Sequence, residues 1–261
     1  MIITCPPVNT IYLDDIAQFL SNFFVANRFS NDQNGVYVPS NKAIARFGLA
    51  LEPWSQLAAW TQQERLNGLF LHRPWQQPTA ELIDIGIVAY HLAFDECLTI
   101  GFNPRLATVL GMSSLEVLGE KEGRAIGMIG EVVSYSFDKY CDRLNQVFKG
   151  YDRAIPGTTS KISRVAVVGA MTDTLVREAK DGGANIYITG QLRQPAKLAL
   201  EETGISCVAI GHRRSEEWGL RALSSLLGDR FAQLEVILPP DLNNAPQVVK
   251  SAPKHDHPQR D

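Results

Sequence analysis

Strand-like and helix-like segments alternate from Arg164 onwards, and this alternation constrains the fold more than any other feature of the sequence. Short apolar runs typical of buried strands occur as RVAVVG, ANIYITG and CVAIGH. Each is followed by a stretch with helical spacing of its apolar residues, namely TDTLVREAKDGG, PAKLALEETG and SEEWGLRALSSLLG. Because such alternation implies right-handed crossovers, we predict an α/β fold with largely parallel or mixed sheets.

The first half of the chain contains the same kinds of segment in a less regular order. Residues 9–24 place their apolar side chains three or four positions apart, which predicts an amphipathic helix. We expect a turn at Asn34-Gly35 and strands within AIARFGLAL and at residues 83–90. Pro104 has a position typical of the first turn of a helix. These segments extend the α/β pattern to the whole chain.

The domain organisation follows from where this pattern stops. We predict a single α/β unit over residues 1–238, which could divide into two interleaved lobes near residues 120–160. The last stretch, residues 239–261, is polar, rich in proline and nearly free of large apolar side chains. Such a segment buries too little surface to offset the entropy of ordering it, so we expect a disordered tail.

Composition excludes several classes of protein. The 25 basic and 28 acidic residues give a net charge of −3, which does not favour a nucleic-acid partner. The four cysteines form no CxxC pair, so a disulfide framework or a thiolate zinc site is not expected. The chain shows neither a secretory leader nor an apolar run of 18 residues, so we expect a cytoplasmic protein without a membrane partner.

Histidines follow three of the apolar runs. His72 comes after GLFL, His91 after GIVAY, and His212 after CVAI and one glycine. Asp95 and Glu216 each lie four residues beyond one of these histidines. Because strand ends share one rim of an α/β sheet, the three histidines can converge there, accompanied by the two carboxylates. Imidazole and carboxylate are the ligands of divalent ions such as zinc, iron or manganese.

A structural role for these histidines stays open at this point, because a single histidine after a strand is often only a hydrogen-bonded residue.

Other candidate sites are weaker. The glycine pairs form neither a GxGxxG nor a Walker motif, and Arg213-Arg214 is typical of a solvated face. The histidines of the tail, in HDH, are typical of an incidental pair in a flexible segment.

Two longer blocks resemble a known family. The segments IVAYHLAFDECLTIGFNPRLATVLGM and TGQLRQPAKLALEETGISCVAIGHRRSEEWGLRALSSLL are similar to the signature regions of the Nif-three-like dinuclear-metal-centre proteins. Bacterial members are commonly called GTP cyclohydrolase 1 type 2 homologues. The resemblance extends to about Leu238, and it implies the Nif-three-like fold, a pair of metal ions and a ring-shaped homohexamer.

The resemblance also implies roles for individual residues. His72 matches the first histidine of a His-His-Pro element, and His91 and Asp95 match a H-x-x-x-D element. His212 and Glu216 match the GH-x-x-(S/T)-E element, whose glutamate would bridge the ions. The implied metal ligands are therefore His72, Asp95, His212 and Glu216.

The sequence departs from the family pattern at the same site. Arg73 stands where the second histidine of the His-His-Pro element is expected, and a guanidinium offers no lone pair to a metal. Gln191 and Asn185 stand where acidic residues are expected, and Gln194 replaces a histidine. These changes indicate a divergent member that binds one metal ion or none.

Two functions are compatible with this pattern. The first is a metal-dependent hydrolase that acts on a small molecule such as a nucleotide, with one or two divalent ions per chain. His91 would then be the catalytic acid or base, and Arg73 would neutralise a carboxylate or bind substrate. The second is a metal-poor scaffold or regulatory protein on the same fold.

Overall fold

The computed structural model describes residues 10–76, 82 and 84–243. The strands, in chain order, are β1 (Asn34–Val38), β2 (Arg46–Ala50), β3 (Gly68–Leu71), β4 (Gly86–Tyr90), β5 (Ser113–Val117), β6 (Glu120–Lys121), β7 (Arg124–Ala125), β8 (Gly127–Ser136), β9 (Arg153–Ile155), β10 (Lys161–Val168), β11 (Ile186–Thr189), β12 (Ser206–Ala209) and β13 (Glu235–Ile237). The α-helices are α1 (Leu13–Phe24), α2 (Leu57–Gln63), α3 (Leu92–Leu98), α4 (Pro104–Leu110), α5 (Phe137–Phe148), α6 (Asp173–Asp181), α7 (Lys197–Thr203), α8 (His212–Arg230) and α9 (Pro240–Asn243).

Two mixed sheets organise the molecule. The first has the order β1-β4-β3-β2-β13, in which only the β1–β4 pair is antiparallel. The second has the order β5-β8-β10-β11-β12-β9, with parallel pairing confined to β10, β11 and β12. Strands β6 and β7 form a separate hairpin. This arrangement confirms the predicted mixed α/β class.

Alternating side chains along the strands divide the core into layers. In β10, Val165 and Val167 belong to the main core, whereas Ala166 and Val168 pack with α6 and α7 on the other side. In the first sheet, Phe70 faces the main core and its neighbours face α2. The main core contains residues of both sheets together with α1, α3, α4, α5 and α8. A central layer of helices therefore lies between the two sheets.

Several expectations from the sequence need correction. The predicted turn at Asn34-Gly35 is wrong, because both residues begin β1 and pair with β4. The antiparallel strands β5, β8 and β9 lie beside the parallel strands, although the alternation favoured a largely parallel sheet. Pairing between strands that are distant in sequence decides both features, and local patterns do not encode it.

The disorder predicted for residues 239–261 is wrong at the start of this segment, because Pro240–Asn243 form α9 and Leu242 is buried against the main core. Residues 244–261, with both histidines of the tail, lie outside the described residues, so the disorder expected there stays a prediction. In the part of the chain that the structure describes, no helix is long and apolar enough to span a membrane.

Candidate metal centre

His72 lies at the carboxyl end of β3 and is fully buried. Its Nδ1 lies 3.0 Å from the main-chain oxygen of Tyr90, the last residue of the neighbouring strand β4. Because a carbonyl oxygen can only accept a hydrogen bond, Nδ1 carries the proton. The other ring nitrogen, Nε2, lies 3.1 Å from Oε1 of Glu216.

Glu216 and His212 belong to the first turns of α8, where a spacing of four residues places them on one face. The Oε1 atom of Glu216 lies 3.0 Å from Nε2 of His212. Burial acts to raise the pKa of Glu216, but hydrogen bonds from the two imidazoles and a guanidinium outweigh it and hold the pKa well below its usual range. The same hydrogen bond raises the pKa of His212. Glu216 is thus a buried, ionised carboxylate.

Asp95 reaches the same point from α3. Its Oδ1 atom lies 3.4 Å from Nε2 of His72, and it has no hydrogen-bond partner among the described residues although it is buried. Burial raises the pKa of this carboxyl group. An unpartnered buried carboxylate oxygen is costly, so a cation is expected to compensate it.

The donor set fits a divalent ion. Ligand atoms of Asp95, His212 and Glu216 all lie within 4.8 Å of one another, and those of His72, His91 and Asp95 form a second such group. Atoms held about 2.1 Å from a tetrahedral ion are about 3.4 Å apart, close to the separations of 3.0–3.4 Å found here. Lone pairs at such distances repel unless a proton or a metal ion lies between them.

Arg73, the residue after His72, donates hydrogen bonds to both carboxylate oxygens of Glu216. Its Nη1 donates to Oε1, and its Nη2 donates to Oε2 at 2.9 Å. The Nε and Nη2 groups also donate to Glu52, at 3.2 and 2.7 Å. Burial acts to lower the pKa of Arg73, but these hydrogen bonds raise it overall. The guanidinium therefore holds a fixed positive charge against a carboxylate of the cluster.

His91 precedes the first residue of α3, at the rim of the cluster. Its Nδ1 atom lies 3.2 Å from Oδ1 of Asp32, whose other oxygen accepts the main-chain N–H of Leu92 at 2.6 Å. The His91 ring packs 4.9 Å from the His72 ring and 5.2 Å from the exposed Trp75 ring. Asp32 thus orients an imidazole that is open to solvent on one side.

A cavity of about 260 Å³ opens onto this cluster from the second sheet. Gly169 and Gly190, which directly follow β10 and β11, form part of its wall. Asp95 and His212 face it from one side, and Phe29 provides an apolar surface. Carboxyl ends of parallel strands commonly border ligand sites, so the cavity is a natural position for a small molecule.

The structure brings all five sequence-derived histidine and carboxylate candidates together, but not along a single rim. His72 and His91 follow strands of the first sheet, whereas His212 follows β12 of the second. The expectation of one shared rim is therefore wrong. The strand ends of two sheets meet across α3 and α8, which carry Asp95 and Glu216.

Sequence reasoning missed Asp32 and Glu52. Glu52 comes just after β2, so its position at a strand end could have identified it. Asp32 lies in the polar segment SNDQNG and carries no local pattern that points to His91. Asn185, one of the departures, has a structural role, because its Oδ1 accepts the main-chain N–H groups of Ser163 and Arg164.

Comparisons with known proteins extend over most of the chain. The family model described as Duf34/NIF3 (NGG1p interacting factor 3) matches residues 11–243. A Pyrococcus abyssi protein named GTP cyclohydrolase 1 type 2 homolog is 24% identical over 241 residues, which cover 84% of this chain and 94% of that protein. A Pseudomonas aeruginosa protein of the same name is 29% identical over 149 residues, with 57% and 59% covered.

A solved structure has the same architecture. The structure described as a Bacillus cereus protein related to NIF3 matches with a TM-score of 0.67 and 14% sequence identity, over 93% of this chain and 100% of that chain. This likeness concerns the fold alone.

Proposed function

The chain belongs to the Duf34/NIF3 (NGG1p interacting factor 3) family, as the sequence motifs indicated, and from this premise we propose that it is a metal-dependent hydrolase. One observation carries the proposal: His72, His212 and two carboxylates converge on one point, where a buried oxygen of Asp95 lacks a hydrogen-bond partner among the described residues. The relatives named GTP cyclohydrolase 1 type 2 homolog support the same class.

The residues that would hold the ion are His72, Asp95, His212 and Glu216. A bound divalent ion acts as a Lewis acid that polarises an electrophile and makes water nucleophilic near neutral pH. His72 is suited to this role because Tyr90 fixes its tautomer, in the way that outer partners orient metal-binding imidazoles.

His91 would transfer the proton. The contact with Asp32 occupies Nδ1, so Nε2 is the atom available to accept a proton from water or to donate one to a leaving group. The nearby cavity, whose lining includes Asp95 and His212, would hold a small-molecule substrate, a nucleotide being one candidate.

The contacts of Arg73 limit the number of ions that the cluster would hold. Since the guanidinium engages both oxygens of Glu216, this carboxylate has little capacity left to bridge two ions. Of the two roles considered from sequence, these contacts favour neutralisation of Glu216 over direct substrate binding, and one ion per chain over two.

Elemental analysis of the full chain, purified without a histidine tag, tests the proposal. We expect about one equivalent of zinc, iron or manganese per chain. The variant Glu216→Gln should lose most of this metal, whereas the matched control Glu217→Gln should retain it. Trace metal in the unmodified chain, or equal retention in both variants, would overturn the metal-dependent function.

The second candidate function is a metal-poor scaffold or regulatory protein, and Arg73 is the observation that favours it. A guanidinium paired with Glu52 and Glu216 already balances much of the buried negative charge without an ion. Metal content below about a tenth of an equivalent, in protein that remains folded, would favour this alternative.

Following the family resemblance, we propose that the hydrolase is a homohexamer, and we propose the cytoplasm as its location. Native mass measurement tests the assembly, and neither a membrane nor a nucleic acid is proposed as a partner.

A further inference from the structure

A second cavity, of about 370 Å³, opens beside the loop that follows β11. It is separate from the cavity that contains Asp95 and His212. Its lining includes Asp152, Arg153, Gln191, Arg193 and Lys197. Three of these five side chains are cations, so the charge of this cavity differs from that of the metal-ligand cluster.

The topology of the second sheet explains why the three cations share one space. Arg153 begins β9, which runs antiparallel to β12 and pairs with Ala209 at the carboxyl end of that strand. Arg193 lies in the loop after β11, and Lys197 begins α7. The carboxyl ends of β11 and β12 lie side by side, so all three residues stand at the same edge of the sheet.

The three cations have no ion-pair partner among the described residues. The only carboxylate in the lining, Asp152, already accepts a hydrogen bond from the guanidinium of Arg214. The three cations are exposed, so solvent screens their mutual repulsion, and the positive potential that they share favours an anion in the cavity.

The cations at the metal-ligand cluster behave differently. Arg73 and Arg213 are both paired with Glu52, and each contacts a second carboxylate of α8. The unpaired charge is therefore a property of the second cavity and not of the arginines around the site in general.

We propose that this cavity binds the phosphate group of a small phosphorylated ligand. Two guanidinium groups offer forked N–H donors that match phosphate oxygens, and an ammonium group adds a third positive charge. Gln191 and Gln194 supply amide donors at the same surface. The identification of this ligand as the substrate rests on the proposed function.

A main-chain hydrogen bond connects the loop beside the second cavity to the turn that precedes His212. The N–H of Gly211 donates to the oxygen of Gly190 at 2.9 Å, which joins the turn before His212 to the loop that begins with Gln191. A ligand whose phosphate lies in the second cavity can therefore extend toward His212, whose side chain is 64% exposed.

Isothermal titration of the full chain as purified tests the proposal, with AMP as the phosphomonoester, adenosine as its uncharged counterpart and inorganic phosphate as the free anion. We expect saturable AMP binding, tighter than that of phosphate, and no detectable binding of adenosine. The double variant Arg193→Gln/Lys197→Gln should bind AMP at least about tenfold more weakly, because two charged hydrogen bonds are lost.

The double variant Lys139→Gln/Lys161→Gln is the matched control, since it removes the same charge from exposed lysines outside the cavity. Its AMP affinity should stay within about twofold of that of the unmodified chain. Equal weakening in both double variants, equal affinities for AMP and phosphate, or no AMP binding would overturn the proposal.

The variant Glu216→Gln separates this proposal from the proposed function. It is expected to lose metal yet keep its affinity for AMP, because the cations of the cavity are intact. Loss of AMP binding together with the metal would show that the phosphate binds the ion, which would overturn the separate phosphate site.

Discussion

Glu216 is the residue on which the chemistry of the cluster depends. It is fully buried, and its two oxygens accept contacts from two imidazoles and one guanidinium. A buried carboxylate of this kind is tolerated only because its partners compensate the loss of water. The charge state of the site is therefore set jointly by Arg73 and by whatever cation binds the imidazoles.

Replacement of Arg73 by methionine should expose this dependence. Removal of one partner of a buried ion pair costs about 3 to 5 kcal/mol of unfolding free energy, which we expect for Arg73→Met in metal-free protein. Arg213→Met is the control, because its side chain is 65% exposed and its ion pairs should contribute at most about 1 kcal/mol. Urea denaturation measures both, and equal losses would contradict the role given to Arg73.

Metal affinity should rise with pH. The pKa values of His212 and Asp95 are raised, so both groups hold protons more tightly than usual and an ion must displace them. Displacement becomes easier as the pH approaches and passes the raised pKa of His212. Chelator competition between pH 6 and pH 8 should show tighter zinc binding at the higher pH, and a flat profile would contradict this assignment.

The contact between α3 and α8 sets the distance between Asp95 and Glu216. At this contact Gly219 of α8 lies directly against α3. A Cβ atom at position 219 would lie 2.8 Å from Cζ of Phe94 and 3.0 Å from the main-chain oxygen of Leu98. Only glycine permits this approach, so the position of the metal ligands depends on a residue that binds nothing.

Gly219→Ala should therefore force the two helices apart. We expect a loss of about 1 to 3 kcal/mol of unfolding free energy from overpacking, together with weaker zinc binding. Gly228→Ala in the same helix is the control, since its Cβ would meet no described atom within 4 Å. That change should stabilise the protein by about 0.5 to 1 kcal/mol through helix propensity, with unchanged zinc affinity. Thermal denaturation measures the stability of the two variants, and zinc titration measures their affinity for the ion.

The cluster joins parts of the molecule that belong to different sheets. His72 follows a strand of the first sheet, His212 follows a strand of the second, and α3 and α8 lie in the central helical layer. An ion bound there would cross-link these parts in the folded chain only, so its binding free energy would add to the stability of the whole fold.

Zinc should consequently protect the entire chain against thermal unfolding. At a free concentration about 100-fold above Kd the gain is about 2.7 kcal/mol, or roughly 5 to 10 °C in Tm for a protein of this size. Differential scanning calorimetry with zinc and with EDTA measures this gain. The variant Glu216→Gln should show no such difference in Tm. If the Tm of the unmodified chain is the same with zinc and with EDTA, the cross-link is contradicted.

Local patterns in the sequence were sufficient for α1, for the alternation of β10, β11 and β12 with α6, α7 and α8, and for the family. These features depend on the spacing of apolar residues and on short motifs such as GHRRSE. Both kinds of pattern extend over only a short stretch of sequence. The histidines and carboxylates were identified in the same way, because each follows or begins a regular element.

The partners of these residues could be known only from the folded chain. Glu216 contacts His72 and Arg73 across 144 and 143 positions, and Asp32 contacts His91 across 59. The antiparallel strands β5, β8 and β9, and the meeting of two sheets at one site, are decided in the same way. The physical reason is that propensity acts over neighbouring residues, whereas burial and pairing depend on which distant surfaces pack together.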